Sequence, residues 1–100
     1  MKLLTKQLLR QLPPLYAMED VKDPMVICKF FYPDFPWTWY AIEFDGEDIF
    51  FGFVDGDFPE LGYFKLSELT NSHGKLGMSI ERAENFKPIR LSKLRSQLGR

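Results

Sequence analysis

Between Phe30 and Phe64 the chain carries eight carboxylates, Asp34, Glu43, Asp45, Glu47, Asp48, Asp55, Asp57 and Glu60, and no lysine or arginine. Hard divalent cations prefer oxygen ligands, so several of Glu43, Asp45, Glu47, Asp48, Asp55 and Asp57 meeting in space would hold Mg²⁺ and support phosphodiester hydrolysis. The same run has a second reading, an acidic face that imitates nucleic-acid phosphates and occupies the basic groove of a nucleic-acid-handling protein. A third and plainer reading is that turns and sheet edges carry Asp and Glu for solubility and to discourage edge pairing. No stretch has the calcium-loop spacing, and no nuclease motif sets these acids beside a Lys or His. Metal chemistry is therefore the weakest of the three, and no cofactor is expected.

Other residue types narrow the field further. His73, the only histidine, sits in the turn-rich stretch Asn71-Ser72-His73-Gly74 and reads as a solvated turn residue rather than a base. The single Cys28 lies within the apolar run MVICKFFY, where a thiol acts as a small buried hydrophobe, and one cysteine makes neither an internal disulfide nor a zinc site. Trp37 and Trp39 share a face of any strand that contains them. They can anchor a protein interface or stack on nucleobases, although the favoured reading is that they fill a core beside Phe50 or another cross-strand neighbour. From Phe86 onward come five basic residues, Lys87, Arg90, Lys93, Arg95 and Arg100, and no acid. The chain is electrically polarised along its length, although a stripe of leucines explains the basic segment as a solvated helix without any phosphate. Serine-nucleophile motifs, phosphate-cradling glycine loops and dinucleotide fingerprints are absent.

The elements that must position these residues are short. Leu4, Leu8, Leu9 and Leu12 recur at helical spacing after Thr5, an N-cap, and Pro13-Pro14 ends the helix. MVICKFFY reads as a strand stopped by Pro33. WTWYAIEF and DIFFGFV flank Asp45-Gly46, which supplies the positive-φ residue of a tight hairpin. Asp55-Gly56 closes the next strand and LGYFKL follows it. Ser67 caps a brief helical turn, MSIER is a short edge strand, and Ser92 caps KLRSQL with Gly99 as its stop. Alternation along WTWYAIEF sends Trp37, Trp39, Ala41 and Glu43 one way, and Thr38, Tyr40, Ile42 and Phe44 the other. Two short helices would cover one face and leave part of the aromatic surface open.

The expectation is thus a single α+β domain over residues 1–100, a three- to five-stranded antiparallel meander with short N- and C-terminal helices. Ten Phe, four Tyr and two Trp make it aromatic-rich, and a chain of this size buries roughly two thirds of its unfolded surface. The opening MKLLTKQLLRQL is too interrupted by charge for a secretory signal, and no run approaches a membrane span, so the expected compartment is a reducing cytoplasm.

Taken together, LLTKQLLRQLPPLY, KFFYP, WTWYAIE, FFGFVDG, ELGYFKLSEL, LGMSIER and the FKP that follows resemble an uncharacterised bacterial family, domain of unknown function 2958. The resemblance implies a setting on plasmids, phages and other mobile elements, where some members are labelled single-stranded DNA endonucleases. In the family pattern an acid often follows the Glu-Arg pair, whereas Ala83 follows Glu81-Arg82 here. The expected function is a non-enzymatic interaction protein of a plasmid or phage, an anti-defence inhibitor that binds a host nucleic-acid-handling or defence protein. Its contact residues would be Trp37, Trp39, Glu43, Asp45, Glu47, Asp48, Asp55 and Asp57. The alternative is a metal-dependent endonuclease on single-stranded DNA, and direct nucleic-acid binding through Trp37, Trp39 and the basic end is the third reading.

Overall fold

The first helix, α1 (Lys6–Gln11), begins where Thr5 Oγ1 accepts a bond from the Leu8 amide at 3.1 Å, and ends before Pro13-Pro14. The computed structural model describes residues 2–100. Leu3 and Leu12 enter the core, Leu4 and Leu8 pack against it, and Leu9 turns outward.

The run MVICKFFY, read as one strand, is two. β1 (Met25–Val26) and β2 (Cys28–Tyr32) part at Ile27, whose amide bonds Ala41 O at 2.8 Å. β2 continues through a tight turn into β3 (Phe35–Phe44), Asp45-Gly46 leads into β4 (Ile49–Asp55), and β5 (Pro59–Lys65) runs into α2 (Leu66–Asn71). Gly46 has φ of 89°, the left-handed conformation for which the hairpin needs glycine. β6 (Glu81–Arg82) pairs with β2, so one antiparallel sheet has the order β5-β4-β3-β2-β6. β7 (Ile89–Arg90) pairs with β1 in a second small sheet and runs straight into α3 (Leu91–Leu98), which stops at Gly99 in the left-handed region. The fold is α+β with an open five-stranded sheet, and no helix among the described residues is long and apolar enough to cross a membrane.

Both faces of β3 are apolar, and each acquires its own cover. On the front, Leu3, Leu12, Leu69 and Ile80 pack over Cys28, Phe30, Ala41, Phe44, Phe50 and Phe64. On the back, Leu91 and Leu94 of α3 pack over Val26, Tyr40, Ile42 and Phe53. The terminal helices therefore lie on opposite faces and do not share one. Phe30, Phe50 and Phe53 are fully buried, each contributing roughly 2–3 kcal/mol by the area it removes from water.

One irregularity decides where the functional side chains go. The β3–β4 register slips between Ala41 and Glu43, pairing Ala41 with Gly52 and Glu43 with Phe51. The extra residue, Ile42, breaks the alternation. Trp37, Trp39 and Ala41 keep the front face, but Glu43 joins Ile42 on the back and Phe44 returns to the front beside Phe50. Gly52 completes the bulge, because a methyl there would overlap the Tyr40 carbonyl.

Candidate interaction site at the tryptophan end of the sheet

The β2–β3 hairpin sets four rings side by side on the front face. Centroid separations are 5.4 Å for Tyr32–Trp39, 6.3 Å for Trp39–Trp37, 6.3 Å for Trp37–Phe35 and 5.8 Å for Phe35–Tyr32, so the rings close a circuit. Such offset and edge contacts are the arrangement that ring quadrupoles favour. Trp37 lies on Gly56, where any side chain would displace its indole. The segment after α2 folds over the hairpin turn. Asp34 Oδ2 accepts from the amides of Leu76 at 2.7 Å and Met78 at 3.3 Å, and Gly74 N donates to Met78 O at 2.9 Å. Lys75 consequently hangs at the rim, its ammonium 5.9 Å from the Phe35 centroid. Between the rings and this segment is a cleft of about 440 Å³ lined by Tyr32, Phe35, Trp37, Trp39, His73, Gly74 and Lys75.

Two polar atoms here are buried without a hydrogen-bond partner among the described residues, Trp37 Nε1 and Asp34 Oδ1. A buried donor or acceptor left unmade costs about 1–3 kcal/mol, and proteins tolerate few of them. Each is covered by a glycine, Trp37 by Gly56 and Asp34 Oδ1 by Gly74, so both atoms lie behind the cleft wall.

The acids of the long basic-free run do not gather here as a group. Asp45 Oδ1 accepts from the amides of Glu47 at 2.8 Å, Asp48 at 2.8 Å and Ile49 at 3.0 Å, and these bonds hold its carboxyl below the usual carboxylate range. Asp48 grips the start of α2, accepting from Ser67 N at 2.8 Å and Ser67 Oγ at 3.0 Å. Glu47 shares that turn and is exposed. Asp55 and Asp57 lie at the other end of β4, roughly 20 Å away at the rise of a strand. Asp57 is exposed beside Gly56, and Asp55 pairs with Arg100 at 2.9 Å. Glu43 is only 3% exposed, and its two oxygens accept from Tyr16 N at 3.0 Å and Met18 N at 2.8 Å. It clamps the connection after α1, including Tyr16 with its unusual φ of 70°. Of the residues expected to form the contact surface, the fold brings Trp37 and Trp39 together and leaves Asp57 exposed next to the Gly56 that Trp37 covers. Asp55 shares that end of the sheet but turns to the back face, where it pairs with Arg100. The fold places Asp45, Glu47 and Asp48 at the far turn and buries Glu43. Among the described residues no three His, Cys, Asp or Glu side chains converge as cation ligands.

The basic C-terminus is also committed to the sheet. Arg95 lies over the Phe53 ring at 4.8 Å and donates to the Arg100 carbonyl. Burial, and then the neighbouring Asp55, push the Tyr40 hydroxyl above its ordinary pKa. Sequence reasoning missed Tyr32, Asp34, Phe35 and Lys75 and set His73 aside as a turn residue. The first three had a signal in the period-two series Phe35, Trp37, Trp39 and the Tyr-Pro-Asp-Phe turn before it. Nothing local announced that residues 73–75 return to this turn.

The fold and the cleft together define an α+β protein with an open aromatic cleft at one end of an antiparallel sheet. The chain belongs to the family described as "Protein of unknown function (DUF2958)", whose model matches residues 3–96. No curated protein and no solved structure matches it.

Proposed function

We propose that the chain is a non-enzymatic interaction protein whose contact surface is the tryptophan end, with Trp37 and Trp39 as anchors and Asp57 on the rim. One observation carries this reading: Tyr32, Phe35, Trp37 and Trp39, all only partly buried, line an open cleft at one end of the sheet with His73 and Lys75 at its edge. Aromatic anchors in a partly closed pocket, rimmed by charge, are what protein interfaces concentrate their binding energy on. The partner proposed is a nucleic-acid-handling or defence protein of the host, and the setting is a plasmid or phage. That setting rests on the family resemblance alone.

A second reading, direct binding of single-stranded nucleic acid, draws on Lys75 at the rim of stacked rings, since base stacking and a nearby cation are the common means of holding a single strand. The exposed carboxylate of Asp57, next in the chain to the Gly56 that Trp37 covers, disfavours it. A metal-dependent nuclease that uses Asp45 and Asp55 together draws no support from the fold, which separates them by the length of β4.

The test is affinity capture from a bacterial lysate with tagged wild type, Trp37→Ala and Glu47→Lys. A protein retained by wild type and Glu47→Lys but lost by Trp37→Ala supports the interaction reading. Retention of single-stranded DNA that weakens steeply with salt would replace it with the second, and capture unaffected by Trp37→Ala would remove the tryptophan end as the surface.

A further inference from the structure

The two edges of the five-stranded sheet are finished differently. β6 presents only Glu81 and Arg82, whereas β5 is seven residues long and, among the described residues, no strand pairs beyond it. Backbone phase says which of its groups are free. Leu66 N donates to Asp48 O at 2.8 Å and Asp45 N donates to Ile49 O at 2.9 Å. With the observed registers, the even residues of β4 bond to β5 and the odd ones to β3. In β5, Glu60, Gly62 and Phe64 therefore face β4, while the N–H and C=O of Leu61 and Tyr63 point away from the sheet. Their side chains are also open, at 45% and 57% exposure on the back face.

Natural edges of this length are blunted by charges, proline or bulges. Here Pro59 and Lys65 guard only the two ends, and Leu61-Gly62-Tyr63 between them is unguarded. We propose that two copies of this chain pair antiparallel along β5 about a two-fold axis at Gly62, giving one continuous ten-stranded sheet. The strand is self-complementary in that register. Leu61 of each copy lies opposite Tyr63 of the other, so both free donors and both free acceptors are satisfied and four apolar side chains gather on the back face. Charge agrees as well: the strand starts beside Asp57 and Glu60 and ends at Lys65, and antiparallel pairing brings each basic end to the acidic start of the other copy. Tyr16 and Val21 extend the apolar wall next to Leu61 and Tyr63. The tryptophan clefts, on β3 and on the opposite face, stay open in the dimer.

Gly62 makes the proposal sharply testable, because a Cβ added there meets nothing within 4 Å and its φ is ordinary. The centre pair of this register is a non-hydrogen-bonded one, with Cα atoms about 4.5 Å apart, inside the reach of a disulfide. Under mild oxidation Gly62→Cys should give a covalent dimer, and the control Glu47→Cys, at an exposed turn, should not. The native thiol does not interfere, since Cys28 is buried and its pKa is pushed up to about 12 by desolvation. Sedimentation equilibrium from micromolar to millimolar protein should show the wild type dimerising. Gly62→Lys, which sets two ammonium groups together on the axis, should raise the dissociation constant by at least about tenfold, while its melting temperature at a concentration where both proteins are monomeric stays that of the wild type. A wild type that stays monomeric throughout, a Gly62→Cys that cross-links no faster than the control, or a dimer indifferent to Gly62→Lys would each overturn the proposal.

Discussion

The two ends of the sheet are built from the same residue types and finished to different degrees. At the β3–β4 turn every engaged carboxylate is answered: Asp45 by three amides, Asp48 by Ser67, Glu43 by the amides of Tyr16 and Met18. At the tryptophan end the rings answer one another, while the indole N–H of Trp37 and one oxygen of Asp34 find no partner among the described residues. Acidity alone therefore does not mark a recognition surface. A carboxylate whose hydrogen bonds are made locally is architecture, and its charge is already spent on backbone donors. What a second molecule could fill is the open cleft between the rings.

The sharpest way to break this contrast is Glu43→Leu, which leaves two amide donors without their acceptor and should lower unfolding stability by about 3 kcal/mol, measured by urea denaturation. A loss under 1 kcal/mol would mean the turn end is less committed than its geometry shows. Next in size, Trp37→Ala should weaken partner binding by about 2 kcal/mol while the protein remains folded, as titration calorimetry would show; the same loss from Glu47→Lys would dissolve the distinction between the ends. A smaller effect is a pH dependence. Asp45 is held below its ordinary 3.8 by hydrogen bonds from the amides of Glu47, Asp48 and then Ile49. Its contribution is thus present in full above the unfolded value and is lost as pH falls through the lower folded one. Melting temperatures of wild type and Asp45→Asn should differ at neutral pH and begin to converge only as pH falls below about 4, and a constant gap into acid would refute the role of the charge. Smallest, Asp57→Lys should slow association roughly threefold through the rim field, a difference that fades with added salt.

Local chemistry was the legible part of the fold. Asp45-Gly46 between two β-rich runs could be read as a hairpin because the requirement, a positive φ, is met by the residue itself. Two helix starts were misread for an instructive reason. Ser67 and Ser92 look like N-caps, but Lys65 and Arg90 occupy those positions. Each serine sits one residue inside the helix and is gripped by an aspartate from elsewhere, Ser67 by Asp48 and Ser92 by Asp23, the latter at 2.8 and 2.6 Å. The matching segments Lys65-Leu66-Ser67-Glu68-Leu69 and Arg90-Leu91-Ser92-Lys93-Leu94 were the available sign. The bulge at Ile42 had no sign in β3, where alternation continues unbroken, and without it Glu43 could not be placed. The acidic run misled because an antiparallel meander carries neighbouring turns to opposite ends, so density along a sequence is not density in space.

Both tryptophans of the chain stand at one end, stacked in the same cleft, and β3, β4 and β5 run the length of the sheet away from them. Intrinsic fluorescence excited at the indole band is consequently a signal from that end alone, whereas far-ultraviolet dichroism averages over every strand. If the sheet unfolds as a unit, the two denaturation curves superimpose; if the cleft loosens first, emission moves while dichroism is still native. The molecule carries its own unlabelled reporter at the place where a partner would dock, and the clamp around Glu43 at the other end is dark to it.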